Sequence, residues 1–254
     1  MRHAYYNEID PCAAQWLRNL IAAGHIADGD VDERSIADVR PDDLRGYRQC
    51  HFFAGIGGWS LALRLAGVPD DAAVWTGSCP CQPFSAAGKG KGTADDRHLW
   101  HHWFALIDAC RPGVLFGEQV SSAIRHGWLD LVCDDLEGAG YTVRAAVAPA
   151  GAVGAPHRRE RLWFVADADG AGRTAREHEA AQVGYRSPAE PEGRRGLWDV
   201  SECHQGEDGK VWFVGAGILP LAHGIPGRVG RLRAYGNAIV PQVAAEFIRA
   251  VQVR

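Results

Sequence analysis

The sequence predicts an α/β fold, a mostly parallel sheet flanked by helices with a small loop-rich insertion. Three observations predict it. Short apolar strand-like runs alternate with helical stretches between residues 49 and 166. A glycine turn, Gly55-Ile56-Gly57-Gly58, joins one of those strands to a helix. Residues 167–227 change character, with clusters of Gly, Pro, Glu and Arg such as Ser187-Pro188-Ala189-Glu190-Pro191. The chain of 254 residues suits one large domain, or a domain with a small lobe.

Taken in order, residues 11–23 read as a helix, with Pro11 suited to its first turn and Gly24 closing it. Residues 25–48 are polar and acidic, with one short apolar piece at Ser35-Ile36-Ala37-Asp38-Val39. Cys50-His51-Phe52-Phe53 reads as a buried strand, followed by the glycine turn and an apolar helix from Trp59 to Ala66. Later strands are expected at 73–77, 113–118, 142–148 and 161–166, and helices at 99–110 and 128–137. A last helix spans 239–251, with Ile239, Val243 and Phe247 on one face.

Composition limits the function classes. The chain is 46% hydrophobic, enough for a sizeable core, and no apolar run reaches the roughly 18 residues of a membrane span. Met1 to Tyr6 lack the apolar centre of a signal peptide. The 7 cysteines are odd in number and contain no C-x-x-C, which argues against a structural zinc site and for a reducing cytoplasm. The net charge of −4 gives no broad cationic surface. Residues 167–227 are themselves acidic, with 6 basic and 10 acidic groups. Cationic surface is therefore local: Lys89 and Lys91; Arg158, Arg159 and Arg161; Arg228, Arg231 and Arg233.

Four motifs carry chemistry. Phe53-Ala54-Gly55-Ile56-Gly57-Gly58 lets the backbone approach a ligand and presents a helix N-terminus to an anionic group. Alone it suits a nicotinamide, a flavin or S-adenosylmethionine equally, or a plain tight turn. In Gly77-Ser78-Cys79-Pro80-Cys81-Gln82 a proline stiffens the chain just before a thiol, at the C-terminal end of a strand, where open α/β sheets place their ligands. A lone cysteine is more often a small buried apolar group than a nucleophile. The loop after it, Ser85 to Gly92, carries Lys89 and Lys91 and suits closure over a polyanion. Cys79 with Cys81 as a metal pair is weaker, since no partner of ligand spacing lies nearby. Gly117-Glu118-Gln119-Val120 ends another apolar strand, putting a carboxylate at the same sheet edge. Arg159 and Arg161 alternate at the start of a strand, which points both to one face, where they need an acidic or phosphate partner.

Together these residues resemble the C5-cytosine DNA methyltransferase family. Residues 53–58 look like its cofactor loop, and Pro80-Cys81-Gln82 looks like its nucleophile motif. Glu118-Gln119-Val120 is similar to its Glu-Asn-Val motif, and His157-x-Arg159-x-Arg161 to its Gln-x-Arg-x-Arg motif. Gly236-Asn237-Ala238-Ile239-Val240-Pro241 looks like its C-terminal helix start. The chain departs from the family in order. An acidic ribose-binding motif and an adenine-side strand normally follow the glycine loop, but Gly58 to Pro80 is too short to hold them. Asn7-Glu8-Ile9-Asp10-Pro11 looks like the acidic motif, and Arg34 to Val39 like the adenine-side strand, so the same sheet is expected with a different threading.

The resemblance implies a methyltransferase catalytic domain over 1–166 and 228–254, with target recognition in 167–227. It implies catalytic Cys81, Glu118, Arg159 and Arg161. It implies S-adenosylmethionine held by Phe53, Ala54, Gly55, Ile56, Gly57, Gly58, Glu8, Ile9, Ser35, Ile36, Pro80, Leu99, Asn237 and Ala238. It also implies double-stranded DNA contacted by Gln82, Ser85, Lys89, Lys91, Arg97, Arg186, Arg194 and Arg195. No metal and no membrane partner is expected, and the expected form is a cytoplasmic monomer in a restriction–modification or phage setting. Three readings compete: the same chemistry on transfer RNA, a catalytically silent cofactor-binding DNA-interaction protein, and a nicotinamide-dependent oxidoreductase. The last leaves the Pro-Cys and Arg-x-Arg motifs without a role.

Overall fold

A computed structural model describes residues 3–80, 96–155, 157, 159–168, 202–205, 211–214 and 238–252. Seven strands form one sheet: β1 (Ala4–Asn7), β2 (Gly29–Asp32), β3 (Gln49–Phe52), β4 (Val74–Gly77), β5 (Val114–Val120), β6 (Thr142–Ala148) and β7 (Arg161–Asp167). Their spatial order is β2-β1-β3-β4-β5-β7-β6. The block from β2 to β5 is parallel. Strand β7 runs antiparallel between β5 and β6. Strands β8 (Glu202–Gln205) and β9 (Val211–Val214) form a separate antiparallel pair in the stretch expected to be loop-rich.

The helices are α1 (Pro11–Ala22), α2 (Gly58–Leu65), α3 (Asp96–Cys110), α4 (Trp128–Gly138) and α5 (Pro241–Gln252). Asp10 caps α1, accepting from the backbone N–H groups of Cys12 and Ala13, and Pro11 opens the helix where its missing N–H costs nothing. Apolar side chains on α3 and α4, Trp100, Trp103, Ile107, Val132 and Leu136, cover one face together with Phe52, Leu115 and Phe164. On the other face α2 and α5 bury Trp59, Leu63, Val243 and Ile248 against Phe116, Trp163 and Val165. Leu17 and Ile26 pack with Ala4 and Tyr6 in a third cluster. Strands covered on both sides bury nearly every residue: the middle five residues of β7 are all buried, as a central strand requires.

The reordered threading expected from the sequence is what the sheet topology shows. Strand β1 precedes the glycine-turn strand β3 in the chain yet lies beside it, parallel, with Asn7 opposite Phe52. The adenine-side strand differs from the sequence reading. Arg34 to Val39 is not a strand; the strand is Gly29–Asp32, and Ile36–Asp38 is a 3-10 turn. The Ser35 hydroxyl accepts from the Ala37 N–H, and the Arg34 side chain bonds back to Asp32, so local side-chain bonds replace a ladder there. Gly29 is what admits β2 to its place, since a Cβ there would sit 1.9 Å from the Ala4 carbonyl oxygen.

Candidate active site

All the parallel strands and the start of antiparallel β7 bring their ends to one edge of the sheet. Strand β3 ends in the glycine turn. Phe53 takes φ 51°, Gly55 φ 55° and Gly57 φ 80°, left-handed conformations that cost glycine little but strain Phe53. The turn feeds α2, whose N-terminal N–H groups favour an anion. A pocket forms above it, lined by residues 53–56, Gly58, Trp59, Ser78, Ala238 and Ile239. Glu8, just past β1, reaches across: one carboxylate oxygen accepts from the Gly55 N–H at 2.7 Å, the other from the Asp10 N–H at 2.9 Å. A carboxylate beside a glycine turn and a helix N-terminus is the donor and acceptor set that a ribose joined to an amino-acid carboxylate needs, so these residues fit S-adenosylmethionine.

Next along the edge, β4 ends at Gly77, and Ser78-Cys79-Pro80 follow. Their neighbour β5 carries Gly117, Glu118 and Gln119. Gly117 faces Phe164 so closely that a Cβ would lie 2.0 Å from the ring, which lets β7 seat fully against this strand end. Gln119 donates from its amide to the Cys79 carbonyl at 3.0 Å and accepts from the Val120 N–H, fixing the chain before Pro80 to the end of β5. Glu118 stands opposite Trp163 in the ladder, so Arg161, two residues away on β7, shares its face. The Arg161 Nε lies 2.9 Å from the Glu118 carboxylate.

Glu118 is buried, and burial raises its pKa above the usual carboxylate range, opposed in turn by Arg161, a hydrogen bond from Ser78, and Arg159. Arg159 is itself lowered, by burial first and then by Arg161. Two guanidiniums around one buried carboxyl make a cationic frame able to stabilise negative charge on a bound planar group. Arg159 is not on the strand, contrary to the alternating pattern. It precedes β7 with φ 32°, which breaks the pleat, and its guanidinium donates to the Ala238 carbonyl at 2.6 Å. That bond ties the arginine turn to the segment leading into α5, beside the glycine-turn pocket.

The other expected site residues are spread more widely. Ile9 is 64% exposed, whereas Ile36 is buried in the core cluster that also holds Tyr5 and Phe52 and does not line the pocket. Ser35 caps its own turn. Leu99, on α3, packs partly buried against the same core, and Pro80 is exposed past β4. Arg97 lies on the first turn of α3. Cys81, Gln82, Ser85, Lys89, Lys91, Arg186, Arg194, Arg195 and Asn237 lie outside the described residues. Ser78 and Trp59 are not site candidates from the sequence, where Ser78 sits in the Gly77–Gln82 stretch and Trp59 opens the apolar helix after the glycine turn. Among the described residues there is no cluster of metal-ligating side chains, and no helix is long and apolar enough to cross a membrane.

The structure thus defines an α/β protein with a glycine-turn pocket beside a buried carboxyl–guanidinium pair, and comparison with known proteins places it in a family. Residues 67–199, just over half of the chain, match the family described as C-5 cytosine-specific DNA methylase. The chain belongs to that family. It is 36% identical over 102 residues to the Type II methyltransferase M.HaeII of Haemophilus aegyptius, covering 39% of this chain and 32% of the relative. It is 26% identical over 168 residues to M.HhaI of Haemophilus parahaemolyticus, covering 50% of this chain and 51% of the relative. The chain thus spans from about a third to half the length of these curated relatives. A solved structure of Spodoptera frugiperda DNMT2 aligns with 66% of this chain and 43% of its own, at 16% identity and a TM-score of 0.46. The family match takes in Pro80-Cys81-Gln82, Glu118 and Arg161 but starts after the glycine turn and leaves out β1 and β2.

Proposed function

We propose that the protein transfers a methyl group from S-adenosylmethionine to C5 of cytosine in DNA. The observation that carries this reading is the buried Glu118–Arg161 pair at the strand end beside Pro80, inside the part of the chain that matches the family. C5 of cytosine is a weak nucleophile, so it must first be activated covalently. The Cys81 thiolate adds to C6, and electron density moves onto C5. Glu118 holds a proton at N3 and accepts from the exocyclic amine, and a carboxyl whose pKa is raised by burial is suited to keep that proton. Arg161, with Arg159 behind it, stabilises charge at the O2 side and orients Glu118. The bound cofactor supplies an electrophilic methyl group. C5 takes that group; a solvent base then takes the C5 proton, its electron pair forms the C5–C6 double bond, and Cys81 leaves C6 as the thiolate.

The target carbon is out of reach inside a stacked duplex, so the base is extruded into the site. Lys89 and Lys91 clamp the backbone after Cys81, and Gln82, Ser85 and Arg97 contact the strand around the extruded base. Residues 1–166 and 228–254 serve catalysis, and 167–227 select the target. Incubating the protein with labelled S-adenosylmethionine and duplex DNA tests the reading. Label should enter C5 of cytosine, and Cys81→Ser should abolish transfer while cofactor binding persists, because a serine hydroxyl is far less acidic than a thiol. Label entering transfer RNA but not DNA, or an active Cys81→Ser protein, would overturn it.

A further inference from the structure

Ser78 stands between the glycine-turn pocket and the buried carboxyl. It follows β4 directly, and its backbone N–H donates to the Phe52 carbonyl, so it continues the β3–β4 ladder by one rung. Its side chain lines the pocket. The Trp59 indole N–H donates to the Ser78 Oγ at 3.0 Å. Trp59 is buried, on the second residue of α2, and is held edge-on to Trp163 with ring centroids 5.5 Å apart. Gly77 pairs with Gly117, so Ser78 comes beside Glu118 at the strand ends, where its hydroxyl favours the ionised carboxyl. We propose that Ser78, oriented by Trp59, is a positioning residue that joins the glycine-turn helix to the Glu118 carboxyl.

An indole nitrogen can only donate, so it occupies a lone pair of the serine oxygen and leaves the single hydroxyl proton to point elsewhere. The Glu118 oxygens are acceptors within reach. Arg161 and Ser78 both favour the ionised carboxyl, and both oppose the burial that favours the neutral acid. The side chain that sets the proton on Glu118 is thus anchored to the helix that begins at the cofactor turn. This inference rests on the proposed role of Glu118, and it is testable without turnover.

The test follows the side-chain carboxyl carbons of carbon-13-labelled glutamate by NMR in the full chain, with the Glu118 signal assigned by its loss in Glu118→Gln. In Ser78→Ala the Glu118 midpoint should move to higher pH, because a donor to the ionised form is gone. Ser78→Thr, which keeps the hydroxyl, should restore it. Trp59→Phe keeps the ring packing but loses the N–H, and should move the midpoint in the same direction by less. A Ser78→Ala midpoint equal to that of the wild type would overturn the proposal, and an unmoved Trp59→Phe midpoint would remove Trp59 from it. A shifted midpoint in a protein that transfers no methyl group would uphold the positioning role and overturn the enzymatic reading instead.

Discussion

Glu8 offers the sharpest test of whether the N-terminal strand belongs to the cofactor site. The carboxylate accepts from the Gly55 and Asp10 N–H groups, so it holds the glycine turn, and Gly55 lines the pocket. On the proposed cofactor reading, Glu8→Ala removes one charged acceptor for the ribose hydroxyls, and it releases Gly55. A hydrogen bond to a charged group contributes about 1.5–3 kcal/mol, so affinity for S-adenosylmethionine should fall roughly ten- to a hundredfold. Glu8→Gln, which retains one acceptor oxygen, should fall between the variant and the wild type. Titration calorimetry measures the change directly, and the melting temperature without cofactor shows whether the turn itself has loosened. A Glu8→Ala protein that binds cofactor like the wild type would refute the assignment and leave β1 as scaffolding alone.

Two further outcomes are expected. His51 is fully buried, stacked on Tyr6 and hydrogen-bonded to Thr76 and Gln49, and burial lowers its pKa to about 3. The unfolded chain takes up that proton below about pH 6.5 and the folded one does not, so stability falls as pH drops through this window, by about 2 kcal/mol at pH 5. Urea denaturation at pH 7 and pH 5 should show this component in the wild type and not in His51→Gln; equal pH slopes would contradict it. Replacing Arg186, Arg194 and Arg195 together with alanine should relax sequence preference, since each bidentate arginine–guanine contact contributes about 1–3 kcal/mol of discrimination. An unchanged methylation pattern would move target reading out of 167–227.

The legible parts of this fold are those with strong local patterns. Val114 to Phe116 and Leu162 to Val165 are apolar runs, and both belong to buried central strands. The glycine turn, with its demand for positive φ, was equally plain. Strand β2 was not: Gly29-Asp30-Val31-Asp32 has no apolar alternation, and it pairs because Gly29 leaves room for the Ala4 carbonyl. Strand β1 is only four residues long and buried throughout, so it carries no period to read. The Arg159 turn looked like strand because alternation of charge does not reveal a positive φ. The contact between Ser78 and Trp59 is not legible because it joins residues 19 apart at the sheet edge, which no spacing rule encodes.

The central claim is covalent chemistry at Cys81, and trapping tests it most directly. A duplex carrying 5-fluorocytosine at the target position cannot lose a proton from C5 after methyl transfer, so the enzyme should remain attached. Peptide mapping of the trapped complex is expected to place the adduct on Cys81, with none formed by Cys81→Ser or in the absence of S-adenosylmethionine. An adduct on Cys79, or methyl transfer without any trapped species, would contradict the account.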